Sequence, residues 1–362
     1  MKILFYSPLK SPSHPVPSGD RLMARLLVRA LTDLGHEVSI ASEMRSFMRS
    51  PEMADALEGN KTDAAREIER IAAEHSGPSA PDLWFTYHPY YKAPDLLGPA
   101  LARHFGIPLI NAEASYSSRR NIGTWQTSQD LLLESLRQAA VNLCFTRRDR
   151  DGLQAAVPEA RLELITPFID SAPYLERKPA PEPGLLVAVA MMRPGDKLSS
   201  YMALAESLRL IRHLPWTLSI AGDGECRPEV ERAFAPLGAA RIEWLGALPQ
   251  EDIAKLLSRS SLFVWPGHGE AYGLAYLEAQ AAGLPVVAEA IAGVPEVVEH
   301  DRTGLLTPAG DRNAFAEAIG RLLSDAETRS HLAKEARIFA TGERSISGAA
   351  ESLRSILDSY VR

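Results

Sequence analysis

Two carboxylates eight positions apart, Glu270 and Glu278, stand in the stretch HGEAYGLAYLEAQAAGLP (268–285), where most other residues are small or apolar. An ionised carboxylate accepts hydrogen bonds and donates none, so each suits a pair of hydroxyls. Between them the sequence predicts a helix start near Tyr272–Gly273–Leu274. Ala275, Leu277, Ala279 and Ala281–Ala282 favour helix, and Gly283 followed by Pro285 ends it. The first turn of a helix presents backbone N–H groups without intrahelical partners, and its dipole favours an anion. Gly273 lacks the side chain that would keep a phosphate away. Glu270 precedes this helix, and Glu278 lies one turn beyond Leu274 on the same face. A phosphate at the helix start with a diol on each side describes a nucleotide-sugar. Taken singly, Glu278 is equally an exposed helix residue, and Glu270 a helix-entry residue favoured by the dipole.

The elements that must position these groups follow an alternating pattern. KILFY (2–6) reads as a buried strand, and a Pro/Ser-rich loop follows it. Leu22, Met23, Leu26, Leu27, Ala30, Leu31 and Leu34 then recur at helical spacing, Gly35 closes the helix, and EVSIAS forms a second strand. Further strands are expected at DLWFTYH (82–88), IPLINAEA (107–114), AVNLCFT (140–146) and RLELIT (161–166), with a helix in DAAREIERIAAEH. APYLERKPAPEPG (172–184) has the proline and charge content of a linker. After it the alternation restarts with LLVAVAM, a helix over 199–212, WTLSIAG, RIEWLG, a helix at 250–258, SLFVWPG and LPVVAEA. The fold class is therefore α/β: two Rossmann-like, doubly wound domains, 1–171 and 185–344, facing a cleft. The last helix, about 345–362, is expected to pack back across the hinge.

Composition narrows the function. A chain of 362 residues with 46% hydrophobic content supports two cores, and a net charge of -7 argues against a general nucleic-acid or polybasic membrane binder. Cys144 and Cys226, each in or beside an apolar run, read as buried free thiols of a reducing compartment. The apolar run in MKILFYSPLK is too short for a signal-peptide core, and no segment reaches membrane-spanning length, so a cytoplasmic protein is expected. No histidine pair with metal-ligand spacing is present, and no metal site is expected. Asp149–Arg150–Asp151 spells D-x-D but is flanked by Arg147 and Arg148 and reads as a solvated helix start.

Glu270–Ala271–Tyr272–Gly273–Leu274 through Glu278, continued by GLPVVAEAIAGVPEVVEHDRTGLLTPAGD, resembles the E-x7-E motif region of family 4 glycosyltransferases, which have the two-Rossmann GT-B fold. The resemblance covers the second domain and, more weakly, the first. It implies that Glu278 binds the nucleotide ribose, that Glu270 touches donor-sugar hydroxyls, and that the amides of Tyr272, Gly273 and Leu274 hold sugar and diphosphate. In MMRPGDK (191–197) it places Arg193 and Lys197 on the diphosphate, where two cations would stabilise the charge left by breaking the anomeric bond. Gly222 and Leu248 fall on the base-binding side, although Gly222 is as easily a turn glycine. Ser18–Gly19–Asp20 occupies the place of the family's glycine-rich loop, with one glycine in place of two. Gly19 would let the diphosphate approach, and Asp20 reads equally as an acidic residue of a helix's first turn. Where many members carry a histidine after the fourth strand, this chain has Glu113. Glu113 and His88 are thus candidates for contact with the acceptor, or else a strand-end carboxylate and a structural histidine.

The activity implied is retaining, metal-free transfer from a nucleotide-diphosphate sugar to a hydroxyl of a glycan, lipid-linked or small-molecule acceptor. The departing phosphate oxygen would take the acceptor's proton, and no cofactor is called for. A GT-B sugar-nucleotide epimerase and a non-catalytic sugar-nucleotide-binding protein are the alternatives. Arg119, Arg120, Arg147, Arg148 and Arg150 leave open an anionic glycan or peripheral contact with a membrane's inner face. No nucleic-acid partner is expected, and the oligomeric state is open.

Overall fold

The computed structural model describes residues 1–16 and 18–361, in two compact units. One comprises Met1–Thr166 together with the chain from Ser347 on, and the other Pro167–Ile346. The first unit runs β1 (Lys2–Tyr6), α1 (Gly19–Asp33), β2 (Glu37–Ile40), α2 (Ala54–Glu74), β3 (Leu83–Tyr87), α3 (Gly98–Phe105), β4 (Leu109–Ala112), α4 (Gly123–Gln138), β5 (Val141–Cys144), α5 (Arg147–Ala156) and β6 (Leu162–Leu164). Its strands pair in parallel in the order β2-β1-β3-β4-β5-β6. The residues of β3, β4 and β5 are buried throughout, as strands covered by helices on both faces require. Phe5 lies opposite both Ile40 and Phe85, and the Phe5 and Phe85 rings stack at 5.5 Å. Met23, Leu26, Leu27, Ala30 and Leu31 form the buried stripe of α1, which Gly35 ends with a positive φ of 83°.

The second unit runs α6 (Ala172–Leu175), β7 (Leu185–Val189), α7 (Asp196–Leu210), β8 (Thr217–Ala221), α8 (Arg227–Phe234), β9 (Ile242–Gly246), α9 (Gln250–Arg259), β10 (Leu262–Val264), α10 (Leu274–Ala281), β11 (Val286–Glu289), β12 (Gly304–Thr307), α11 (Arg312–Ser324) and α12 (Ala326–Ile338). Its parallel order is β12-β11-β10-β7-β8-β9. A final helix, α13 (Ile346–Tyr360), returns the chain to the first unit, where Leu353 and Leu357 are buried and the Tyr360 hydroxyl donates to Glu163 at 2.7 Å.

Each sheet has one place where successive strands are laid down in opposite directions. In the first unit it lies between β1 and β3, and in the second between β7 and β10. At the carboxyl ends of such strand pairs the loops diverge and leave a crevice, the usual ligand position in open α/β sheets.

Three details differ from the sequence expectation. The units divide between Thr166 and Pro167, ahead of the expected residue 171, and between Ile346 and Ser347. The stretch 172–184, read as a linker, belongs to the second unit: Tyr174 of α6 is buried, and the Ala180 and Glu182 amides donate to the Ser258 and Arg259 carbonyls at the end of α9. Proline there sets an extended strap against a helix end. Strand β12 was not anticipated, because GLLT is too short to show alternation. It is held by register, with Gly304 opposite Val286, where a Cβ would meet the Val286 carbonyl oxygen at 2.1 Å.

Candidate functional site

In the second unit the loops after β7 and β10, on either side of the strand reversal, bring two of the expected residues together. Lys197, in the first turn of α7, donates its ammonium to Glu270 Oε1 in a short, half-buried ion pair. Trp265 Nε1–H donates to the same oxygen at 3.0 Å, and the Lys197 ammonium lies 5.7 Å from the Trp265 ring centre. Glu270 thus accepts from two donors on one oxygen. The loops also interlock sterically. Gly269 (φ 65°) lies so close to Asp196 that a Cβ would approach its carboxylate oxygen to 2.1 Å. Arg193, just before α7, is exposed and makes no side-chain ion pair among the described residues.

Helix α10 begins as expected. Gly273 (φ 83°) is its cap, and a Cβ there would meet the Tyr276 ring at 2.7 Å. Among the described residues, no acceptor meets the N–H groups of Gly273, Leu274 or Ala275, so the first turn is open for an anion. Glu278, one turn on, faces Tyr174 of α6. Burial raises its carboxyl above the ordinary value, and the Tyr174 hydroxyl offsets part of that rise. The Tyr174 phenol is raised as well, first by burial and then by the Glu278 charge. At the end of β8, Gly222 has a packing reason to be glycine, since a Cβ would stand 1.8 Å from the Ala190 carbonyl oxygen. Its N–H donates to the Gly246 carbonyl at 2.7 Å, and Leu248 lies half-buried just beyond β9.

Sequence reasoning missed a second polar chain beside this site. His268 Nδ1 and Ser199 Oγ are 2.8 Å apart, and His268 Nε2 lies 3.3 Å from Glu289 Oε2. Glu289 is fully buried and also accepts from Arg312 Nη1 and the Gly310 N–H, each at 2.8 Å. His268 opens the very stretch that carries Glu270, but its partners are distant in sequence.

In the first unit, Asp20, His88 and Glu113 gather at the β1/β3 reversal. His88 Nδ1 lies 3.3 Å from Asp20 Oδ1, and Tyr87 donates to Glu113 Oε2 at 2.7 Å. His88 (φ 60°) and Glu113 (φ 56°) both hold the left-handed conformation directly after their strands, a strain that non-glycine residues keep only when the surroundings impose it. Burial pulls the His88 imidazole down, but Asp20, then Glu113 and Asp149, outweigh it and raise it to about 9. Asp20 is lowered: burial opposes this, and His88 and Lys10 overcome it. Gly19, the first residue of α1, has no atom within 4 Å of a would-be Cβ, so the fold itself makes no steric demand for glycine there.

The remaining candidates are structural. Thr146 caps α5: its hydroxyl donates to Asp149 Oδ2 at 2.7 Å and accepts the Asp149 N–H, while Asp151 pairs with Arg150. Cys144 and Cys226 are buried free thiols. A cavity of about 490 Å³ lined by Arg103, Ile107, Leu109 and Ala140 opens at the opposite, amino-terminal edge of the first sheet, away from these groups. No helix among the described residues is long and apolar enough to cross a membrane.

Comparison with known proteins bears on this arrangement. Residues 184–325 match the family model for glycosyl transferases group 1. The chain is 26% identical over 399 residues to a D-inositol 3-phosphate glycosyltransferase from Frankia alni, covering 98% of this chain and 97% of the relative. Among solved structures it superposes on sucrose-phosphate synthase from Thermosynechococcus elongatus with a TM-score of 0.75 at 20% identity, over 99% and 98% of the two chains. It superposes on Anabaena Alr3699/HepE in complex with UDP with a TM-score of 0.74 at 16% identity, over 99% and 100%.

Proposed function

We propose that the chain is a glycosyltransferase of the GT-B fold, a reading supported by the match of residues 184–325 to the family model for glycosyl transferases group 1 and by its glycosyltransferase relatives, and that its finer chemistry is as follows. It moves a hexose from a nucleotide-diphosphate sugar to a hydroxyl of a glycan, lipid-linked or small-molecule acceptor, with retention and without a metal or cofactor, in the manner of family 4. The observation that carries this reading is the convergence of Lys197 and Glu270 from loops flanking the β7/β10 reversal, next to the open first turn of α10.

In this mechanism the donor's diphosphate sits on the free amides of Gly273 and Leu274, with Arg193 as its second cation. Lys197, oriented by Glu270 and Trp265, faces the phosphate oxygen on which charge grows as the anomeric bond breaks. A fixed cation of this kind lowers the barrier because it need not reorganise at the moment of reaction. The remaining Glu270 oxygen accepts from a sugar hydroxyl, Glu278 accepts from the ribose diol, and Leu248 with the Gly222 loop borders the base. Gly19 leaves room at the start of α1, and His88 and Glu113 border the acceptor hydroxyl. The leaving phosphate oxygen takes the acceptor's proton on the face it departs from, so positioning and charge stabilisation are the protein's contribution. The complex with UDP is a property of the Anabaena protein, and it supports a uridine donor as the first to try. The setting proposed is cytoplasmic polysaccharide or glycoconjugate synthesis.

A thermal-shift screen of nucleotide sugars tests the reading, because stabilisation grows with ligand concentration over Kd. At least one nucleotide sugar should raise the melting temperature. With an acceptor and excess EDTA, NMR should show a product of the donor's anomeric configuration. Inverted product, or turnover that disappears with EDTA and returns with Mg²⁺, would sink the mechanism.

A further inference from the structure

Four rings in the first unit run in contact away from the β1/β3 reversal. His88 stacks on Tyr90 at 5.0 Å, Tyr90 meets Tyr91 at 5.2 Å, and Tyr91 meets Trp125 at 4.9 Å. At the far end two cations share the last ring pair. Lys92 Nζ lies 5.8 Å from the Tyr91 centre and 5.3 Å from that of Trp125, and the Arg120 guanidinium lies 5.7 Å from both. Two like charges on one pair of rings repel each other, and attraction to a ring face returns only a weak interaction for each cation. Among the described residues, neither Lys92 nor Arg120 has a carboxylate partner. The Trp125 Nε1–H is itself buried without an acceptor among the described residues, in a residue only 6% exposed. Two cations therefore share one ring pair with no carboxylate partner among the described residues. Trp125 also stands in the first turn of α4, whose cap residue Ile122 supplies no side-chain acceptor to that turn.

We propose that Lys92, Arg120 and Trp125 form a subsite for the phosphate or carboxylate of an anionic sugar acceptor, whose ring lies along the Tyr90–Tyr91 aromatic surface toward His88. The inference rests on the transferase reading above and names its acceptor class. Aromatic faces suit the C–H face of a sugar ring, and a lysine with an arginine suits a doubly charged oxyanion. Neutral acceptors would leave both cations unanswered, which sets the selectivity. The same anion could belong to a free sugar or to a lipid headgroup, and the chemistry of recognition is shared.

The test uses the full chain with saturating UDP, so that the donor pocket is blocked. Glucose, glucose 1-phosphate and glucuronate are titrated calorimetrically in one arm. In the other, phosphatidylcholine vesicles with and without phosphatidylinositol are co-sedimented with the protein. Wild type should bind an anionic sugar or the anionic vesicles at least about tenfold more tightly than the neutral counterpart. Arg120→Ala and Lys92→Ala should each loosen binding roughly tenfold, Arg120→Lys should restore part of it, and added salt should weaken it. Sugar binding without vesicle binding assigns the anion to a free acceptor, and the reverse to a lipid. Equal affinity for charged and neutral probes, binding by neither, or full anion affinity in the double alanine variant overturns the subsite. Failure of UDP itself to bind in the same titrations would instead count against the donor reading.

Discussion

The surroundings of Glu278 disfavour its charged form. Burial raises its carboxyl, so the folded protein binds that proton more tightly than the unfolded chain does. A group raised in this way adds stability below its unfolded value and loses it as pH rises through the folded value, leaving a net cost at neutral pH. Glu278→Gln should therefore raise the melting temperature of the ligand-free protein by about 2–4 °C while weakening nucleotide-sugar binding. Loss of both stability and affinity would mean a merely structural carboxylate. Donor binding to the wild type in mildly acid buffer should release a proton, seen in calorimetry across buffers of different ionisation enthalpy. His88 gives the opposite case at the other strand reversal. Raised to about 9 by Asp20 and its neighbours, it is protonated at neutral pH, and the stability it contributes below its ordinary range is lost as pH passes 9. An imidazole NMR titration should show that midpoint, and Asp20→Asn should bring it down; an unmoved midpoint would dissociate the pair.

Among the elements, the short helix α10 carries the donor reading, and its start depends on one residue. Gly273 needs both a positive φ and an absent Cβ, so Gly273→Ala should cost about 1–3 kcal/mol of stability and weaken binding of nucleotide sugar. Denaturant unfolding and donor titration check the two effects, and an unchanged donor Kd would move the phosphate elsewhere. This helix was legible in the sequence because every signal for it is local: a glycine before a run of helix formers, a glycine and proline after it, and carboxylates placed by helical spacing. The strand order was not, since a crossover connection leaves no mark on a single segment. Lys197 and Glu270 are 73 positions apart; the family resemblance put both on the donor, but their direct ion pair left no mark in either loop. The left-handed conformations of His88 and Glu113 were hidden for a related reason, because neither position carries the glycine or asparagine that usually signals one. His268 was visible but had no readable partner until Ser199 and Glu289 were brought to it.

At the scale of the molecule, the first unit is made from two separate stretches, Met1–Thr166 and the residues from Ser347 on. The second unit, Pro167–Ile346, is continuous, and α13 then packs Leu353 and Leu357 into the first. Leu353→Ala should cost about 2–5 kcal/mol and lower the melting transition of the first unit, while UDP binding by the second persists; loss of UDP binding at temperatures where the protein stays folded would contradict that independence. The discontinuity also bears on how the chain is born. A ribosome delivers residues 167–346 as a complete sequence while the first unit still lacks its closing helix. The continuous second unit should therefore reach its native form first, and the stretch Met1–Thr166, translated ahead of it, must wait, incomplete and in need of shelter, until α13 has been made.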